Sequence, residues 1–408
     1  MKTITKTWQF EAQDSLFFRE SRPMNSIGNA ELSSVFPPSA QTLIGAIRHA
    51  LGEISEVDWE QYGEEKQAHS LSKLIGFGSD YASLHFEGVW IHKKGQRLYP
   101  APSNLMIGVL KETKEECKKR EKKGQERKKE CFFIGIDNAL IKTDIGRIAL
   151  PKVDEKYEGS KNLDNIWLTK DNYEQMLKGI PPTIDDWFIL KSPSSKKQVN
   201  SLLIEESRVG IARDNTRRAV IKGRLYQTKH IRFTEEVSLC MDVTLDQAYE
   251  ATSNQADNGF FVRLGGEGRL ASITQHNPPP ALECPDINQR FVMYLLSPLL
   301  IPKSSHQHWQ PLPHFRKEKQ GKQTVWKGIL NGIELTLYSA VTGKAYREGG
   351  WDLAKHCPKP VKSYLPAGAA FYCSSEATPE TIIKALHQQQ IGAEQTSGRG
   401  KIALGKWV

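Results

Sequence analysis

The sequence predicts an α+β fold. Candidate strands and helices mix without the regular strand–helix alternation of a parallel sheet. No internal repeat with a period of roughly 20 to 50 residues is visible. The 408 residues are 38% hydrophobic and 25% charged, a globular composition long enough for two or three domains.

Residues 4 to 10 alternate as a strand does. "DSLFFRESRP" follows, a short apolar strand ending in Arg19 and Arg22. In "SVFPPSAQTLIGAIRHALGE", Pro37 and Pro38 bar a helix before Ser39, a good N-cap. Leu43, Ile44, Ile47, Ala50 and Leu51 then share one face, Arg48 lies off it, and Gly52 is a plausible stop. Residues 84 to 100 predict a hairpin turning at "KKGQ". Residues 111 to 130 hold ten basic and six acidic residues and no apolar face, which predicts a mobile or solvated insertion. A helix is expected near 170 to 178 and a strand near 185 to 191. "KSPSSKKQVNS" reads as a linker, so the domains are expected at 1–200 and 201–408. The second half is richer in strands: 219 to 226, 236 to 245, 259 to 264, 268 to 274, 291 to 301, 333 to 341, 367 to 373 and 401 to 407. One helix interrupts them, "TPETIIKALHQQQ", with Thr378 as N-cap and Pro379 in its first turn.

The net charge of +9 favours an anionic partner such as nucleic acid. Six cysteines without a C-x-x-C pair argue against a zinc ribbon or a disulfide framework. No apolar run approaches the ~18 residues of a membrane span, and "MKTITKTWQF" resembles no targeting peptide. A cytoplasmic protein that does not engage the membrane is therefore expected.

"FFVRLGGEGRLASI" contains Gly266 and Gly268 in the pattern G-x-G-x-x-A of dinucleotide-binding loops. Such a loop needs a long helix after it, but "SITQHNPPP" follows instead. A strand–loop–strand carrying Arg269 at its tip fits better, and no cofactor is expected. "EESRVGIARDNTRRAVIKGRLYQTKHIRF" carries Arg208, Arg213, Arg217, Arg218, Lys222, Arg224, Lys229 and Arg232 against three acids, with Gly210 and Tyr226 among them. Arginine forks suit phosphates, and an aromatic offers a stacking platform. The C-terminal "SGRGKIALGKWV" repeats the theme with Gly398, Arg399, Gly400 and Lys401. The same residues also fit a tight hairpin and a solvated basic face.

Catalytic signals are sparse. There is no Walker A, H-E-x-x-H, G-x-S-x-G, His-Asp or G-G-D-D motif. His306, His308 and His314 cluster in "HQHWQPLPH", with prolines before the third and no carboxylate or thiol near, so no metal site is expected. His49 and His230 flank basic segments and are the only candidates for a general base in metal-free RNA cleavage. "DNGFFVRL" only distantly echoes an RNA-recognition stretch.

Six segments, in order, resemble one family: "DSLFFRESRP", "SVFPPSAQTLIGAIRHAL", "ESRVGIARDNTRRAVIKGRLY", "RLGGEGRLASI", "YLPAGAAFYC" and "IGAEQTSGRGKIALGKW". The family is the third subunit of the Cmr complex, a type III-B CRISPR effector, within the RAMP superfamily. The charged insertion and the loop around 303 to 325 depart from it. The resemblance implies two ferredoxin-like (RRM-related) domains with Gly-rich loops and no enzymatic activity. It implies a subunit that holds the repeat-derived 5′ tag of the guide RNA (crRNA). Its partners would be the large polymerase-like subunit and the backbone RAMP subunits. It would bring Ser39, Arg48, Arg208, Gly210, Gly266, Gly268, Arg269, Gly398 and Arg399 near RNA. A metal-free endoribonuclease that processes guide precursors is the alternative.

Overall fold

The computed structural model describes residues 2–20, 30–124, 126–183, 187–191, 200–257, 259–302, 310–352 and 357–408. Arg22, His306, His308 and most of the expected linker lie outside them, and the side chains of Lys222 and Arg224 are not described.

The fold is mixed α+β, built on two large sheets. In the first, four antiparallel strands run in the order Leu270–His276, Thr3–Ala12, Val237–Asp246, His85–Lys93. The helix Ala40–Ile54 connects the first of these in sequence to the second, and short helical turns over 247–257 connect the third to the fourth. Phe260–Arg263 extends one edge, and the other continues through Gln96–Pro100 to the long hairpin Ser201–Asp214 and Ala219–Phe233. Trp8, Phe10, Phe86, Leu239, Met241 and Val243 pack against Leu43, Ile44 and Ile47 of the helix, all buried.

The second sheet runs Arg316–Gln320, Gln323–Leu330, Ile333–Val341, Ala370–Ser374, Arg290–Leu295, Ile402–Lys406. Pro379–Leu386 packs on it through Ile382 and Leu386. A third cluster joins the two units. Trp90, Tyr99 and Cys240 from the first sheet meet Val292, Tyr294, Tyr372 and Ala403 from the second, with Tyr173, Met176 and Leu177 of the helix Lys170–Leu177.

The local expectations can be compared directly. Ser39 caps its helix by accepting from the Gln41 amide, and Thr378 caps the later one from the Thr381 amide. The "KKGQ" turn places Lys94 and Gly95 at positive φ between paired strands. Gly52 does not stop its helix, which continues to Ile54. Instead, Gly52 receives the Trp59 ring, which a Cβ would meet at 2.5 Å. The charged insertion is solvated, as expected, but it folds: Thr113 and Glu116 form a capping box on the helix Lys114–Lys122.

The expected boundary at 200/201 does not separate the sheets. Strands from 237 to 276 pair with Thr3–Ala12 and His85–Lys93, so they complete the first unit. The second unit's sheet begins at Arg290. On either side of the Ser/Lys-rich run, Trp187–Lys191 and Ser201–Asp214 pair as neighbours in the first sheet. Among the described residues, no helix is long and apolar enough to cross a membrane.

Candidate nucleic-acid interface

The segment Ser15–Phe18 joins two of the expected basic elements. Leu16 exchanges backbone hydrogen bonds with Ile231 at the root of the long hairpin, at 2.7 and 2.8 Å. The Gly266 amide then donates to the Phe17 carbonyl at 2.8 Å. Gly265 is at φ +81° with the Phe17 carbonyl against it, so a side chain has neither room nor an easy backbone there. Phe260–Arg263 and Leu270–His276 flank this loop as antiparallel strands, the strand–loop–strand form and not a dinucleotide fold.

Three arginines converge here on Asp14. Its carboxylate accepts from Arg232 at 2.6 Å, from Arg208 at 3.2 Å and from Arg269 at 3.2 Å. Arg208 also donates to the Ser15 hydroxyl at 2.7 Å, and Glu206 pairs with both Arg208 and Arg232. Hydrogen bonds from Arg232 and then Arg208 hold the Asp14 pKa down to about 2. Hydrogen bonds donated to Glu206 and then to Asp14 raise that of Arg232. The Arg269 Nε is buried and has no hydrogen-bond partner among the described residues. A polar groove lined by Gln9, Gln13, Asp14, Lys94 and Arg232 opens beside the cluster.

The long hairpin rises from this point. Cross-strand pairing puts Gly210 opposite Tyr226, and the Tyr226 ring lies over Gly210 where a Cβ would collide. That ring is 36% exposed. Since strand neighbours alternate in face, Arg208, Gly210, Tyr226 and Arg232 share one face of the hairpin. Arg213, Arg217 and Arg218 are exposed towards its tip, and Arg19 is exposed on the segment below.

The other expected residues lie elsewhere, already engaged. Arg399 is 2% exposed, pairs with Glu348 and stacks over the Tyr364 ring at 4.7 Å. Lys401 is buried and reaches both Glu87 oxygens, at 2.9 and 3.0 Å. Gly398 pairs with Glu87 of the first sheet, where a Cβ would meet the Gly88 carbonyl at 2.6 Å. Gly400, at φ +72°, lies against the Ile391 carbonyl. Ser39 donates to Glu348 as well as capping its helix. This C-terminal loop is thus a clasp between the units, and its cations are not offered to solvent. Arg48 spends its guanidinium on the Gly76 and Gly78 carbonyls, at 2.8 and 2.9 Å.

The two candidate bases lie in different settings. His230 is buried, stacked on Phe17 at 5.1 Å and within 3.3 Å of the Ser15 hydroxyl. Burial, then Arg269 and Arg208, lower its pKa. His49 lies on a helix surface beside Glu53, 3.7 Å away, and Trp59. No group of three or more His, Cys, Asp or Glu could hold a metal among the described residues.

Asp14, Ser15, Phe17 and Glu206 were not expected at this site. The partners of Asp14, Ser15 and Phe17 are distant in sequence, and Glu206, although two residues from Arg208, also pairs with Arg232 across the hairpin.

No curated protein matches the chain. Among solved structures it is similar to a chain of the type III-B Cmr-beta complex bound to cognate target RNA and AMPPnP. The identity is 14% over 90% of this chain and 86% of that one, with a TM-score of 0.47. It is also similar to a chain of the Csm3–Csm4 subcomplex of the type III-A interference complex, at 12% identity over 91% and 94%, with a TM-score of 0.38. A family model described as CRISPR-associated protein (Cas_Cmr3) matches residues 8–407. That match spans nearly the whole chain and includes the hairpin, the Gly-rich loop and the C-terminal clasp, so the protein belongs to the Cas_Cmr3 family of CRISPR-associated proteins.

Proposed function

We propose that this chain binds the repeat-derived 5′ tag of the guide RNA and docks on the large polymerase-like subunit and the backbone RAMP subunits, without chemistry of its own, in the cytoplasm. The observation that carries the RNA reading is the arginine cluster. Arg208, Arg232 and Arg269 come from three strands or loops and meet at one point beside a Gly-rich turn, below an exposed tyrosine. Phosphate-binding forks next to a stacking ring are what a splayed single strand requires. In the same reading, each unit is a ferredoxin-like fold. The first follows the strand order 4-1-3-2, and the second replaces its first helix with the hairpin Arg316–Gln320 and Gln323–Leu330.

The endoribonuclease alternative needs a base free to reach a scissile phosphate. His230 is enclosed, and the described neighbours of His49 are Glu53 and Trp59, with no cation among them to hold a phosphate, which counts against it. Incubation of the full chain with precursor RNA, with and without EDTA, tests this: cleavage abolished by His230→Ala or His49→Ala would favour the alternative.

The direct test is to purify the tagged protein from its native cells at mild salt and sequence the 5′ ends of the bound RNA. A uniform repeat-derived end, with the large subunit in the same fraction, supports the reading. Heterogeneous RNA, or none, overturns it. In vitro, Arg208→Ala and Arg269→Ala are each expected to weaken single-stranded RNA binding and flatten its salt dependence by about one phosphate contact.

A further inference from the structure

An acid at the centre of an RNA-binding cluster works against phosphate, so Asp14 needs a reason to be there. It lies on the bend after the first strand, and its carboxylate is 47% exposed. The three arginines it holds are less exposed or similar, at 22% for Arg269, 34% for Arg208 and 42% for Arg232. The anion therefore occupies the solvent side of the cluster, where a ligand arrives. Both its oxygens are used: Oδ2 faces Arg208 and Arg269, and Oδ1 faces Arg232. A phosphodiester offers the same pattern, two equivalent anionic oxygens on one centre, which guanidinium forks recognise as they do a carboxylate.

Glu206 does not explain the arrangement. It pairs with Arg208 and Arg232 from the hairpin itself, whereas Asp14 is the one acid bonded to Arg269 among the described residues. Arg269 keeps a buried, unpartnered Nε besides. Its donors are not all satisfied by Asp14.

We propose that Arg208, Arg232 and Arg269 form a phosphate subsite in which the Asp14 carboxylate is a placeholder, displaced when an RNA phosphate binds. This rests on the RNA-binding reading above and adds to it how the site is held before RNA arrives. The carboxylate relieves repulsion among three converging cations in the free protein. It also sets a threshold: a phosphate must displace an internal anion, so a strand held by further contacts wins where an isolated anion does not. The side chain is short and sits on an exposed bend, so a rotation about its own bonds releases the site.

The test uses the full chain and Asp14→Asn, with Asp14→Ser as a second variant should the first fold poorly. Fluorescence anisotropy with a labelled oligouridylate is read across a series of KCl concentrations, with one probe carrying a 5′-hydroxyl and the other a 5′-phosphate. Removing the placeholder is expected to tighten binding about tenfold, the scale of one charge-assisted contact, and to steepen the salt dependence. Equal gains for both probes assign the subsite to an internal phosphodiester. A gain confined to the 5′-phosphate probe assigns it to a terminal phosphate. Weaker or unchanged binding in the Asp14 variants, while Arg208→Ala and Arg269→Ala still weaken it, overturns the placeholder and leaves the RNA reading intact. If the arginine variants also bind as the parent does, the RNA reading of this cluster fails, and the placeholder with it.

Discussion

Arg399→Ala separates a clasp from a phosphate loop. The Arg399 side chain is 3% exposed and that of its partner Glu348 is 5% exposed. Truncation leaves the Glu348 carboxylate buried with only the Ser39 hydroxyl donating to it among its described contacts. Breaking one side of a buried pair costs about 3–5 kcal/mol. Loss of the stack over Tyr364 adds up to about 2 kcal/mol where the ring is desolvated. The urea m-value grows with chain size and for 408 residues is about 4 kcal/mol/M, so a loss of about 4 kcal/mol moves the unfolding midpoint down by roughly 1 M. The double variant Arg399→Met with Glu348→Leu is expected to recover most of this, since apolar replacement of a buried pair is often neutral. Urea denaturation followed by tryptophan fluorescence reads both, and RNA binding of the folded fraction is measured beside it. A cost below about 1 kcal/mol, with RNA affinity and salt dependence falling as they do for Arg269→Ala, would refute the clasp.

Four further outcomes follow from named contacts. Gly400→Ala is expected to destabilise far more than Gly268→Ala. Both are at positive φ, but the Gly400 Cβ position is filled by the Ile391 carbonyl and that of Gly268 is open. The Gly268 variant should lose only the ~1–2 kcal/mol of the left-handed backbone, and urea midpoints compare them. His92 is buried, and burial, then Arg97, depress its pKa to about 4. The unfolded chain therefore takes up this proton first as pH falls below 6.5, and stability drops by up to about 3 kcal/mol by pH 4. His92→Gln should flatten that part of the pH–stability curve. Ser39→Ala removes a helix cap and a hydrogen bond to Glu348, a loss of about 1–2 kcal/mol by thermal melting. Tyr226→Ala should weaken single-stranded RNA binding by the ~1–3 kcal/mol of one base stack while leaving the melting temperature nearly unchanged, since its ring is half-open to solvent.

What was legible in the sequence was local. Ser39 after two prolines, Thr378 before Pro379 and the "KKGQ" turn each determine a cap or a turn through bonds within a few residues. The domain boundary was not legible, because composition reports exposure and not pairing. Thr3 pairs with Asp246 and Thr7 with His276, and nothing within either strand names its partner. The run before residue 200 has the polar composition of a linker, but the strands on both sides of it belong to the first sheet. Gly52 misled for a related reason: its role is set by Trp59, which packs from the next helix.

The two Gly-and-cation loops make the sharper case. In sequence, "GGEGR" and "SGRGK" carry the same chemistry, flexible backbone beside a positive charge. Their acidic partners separate them, and those partners are remote: Asp14 lies 255 positions from Arg269, and Glu87 lies 314 from Lys401. At the C-terminal loop Glu348 is 5% exposed, so displacing it from Arg399 would strand a charge in the interior. At the opening loop Asp14 is half in water. Leaving its arginines strands no buried charge, because solvent takes over at once. Exposure of the acid, not the identity of the cation, decides which loop can exchange its counter-ion for a phosphate.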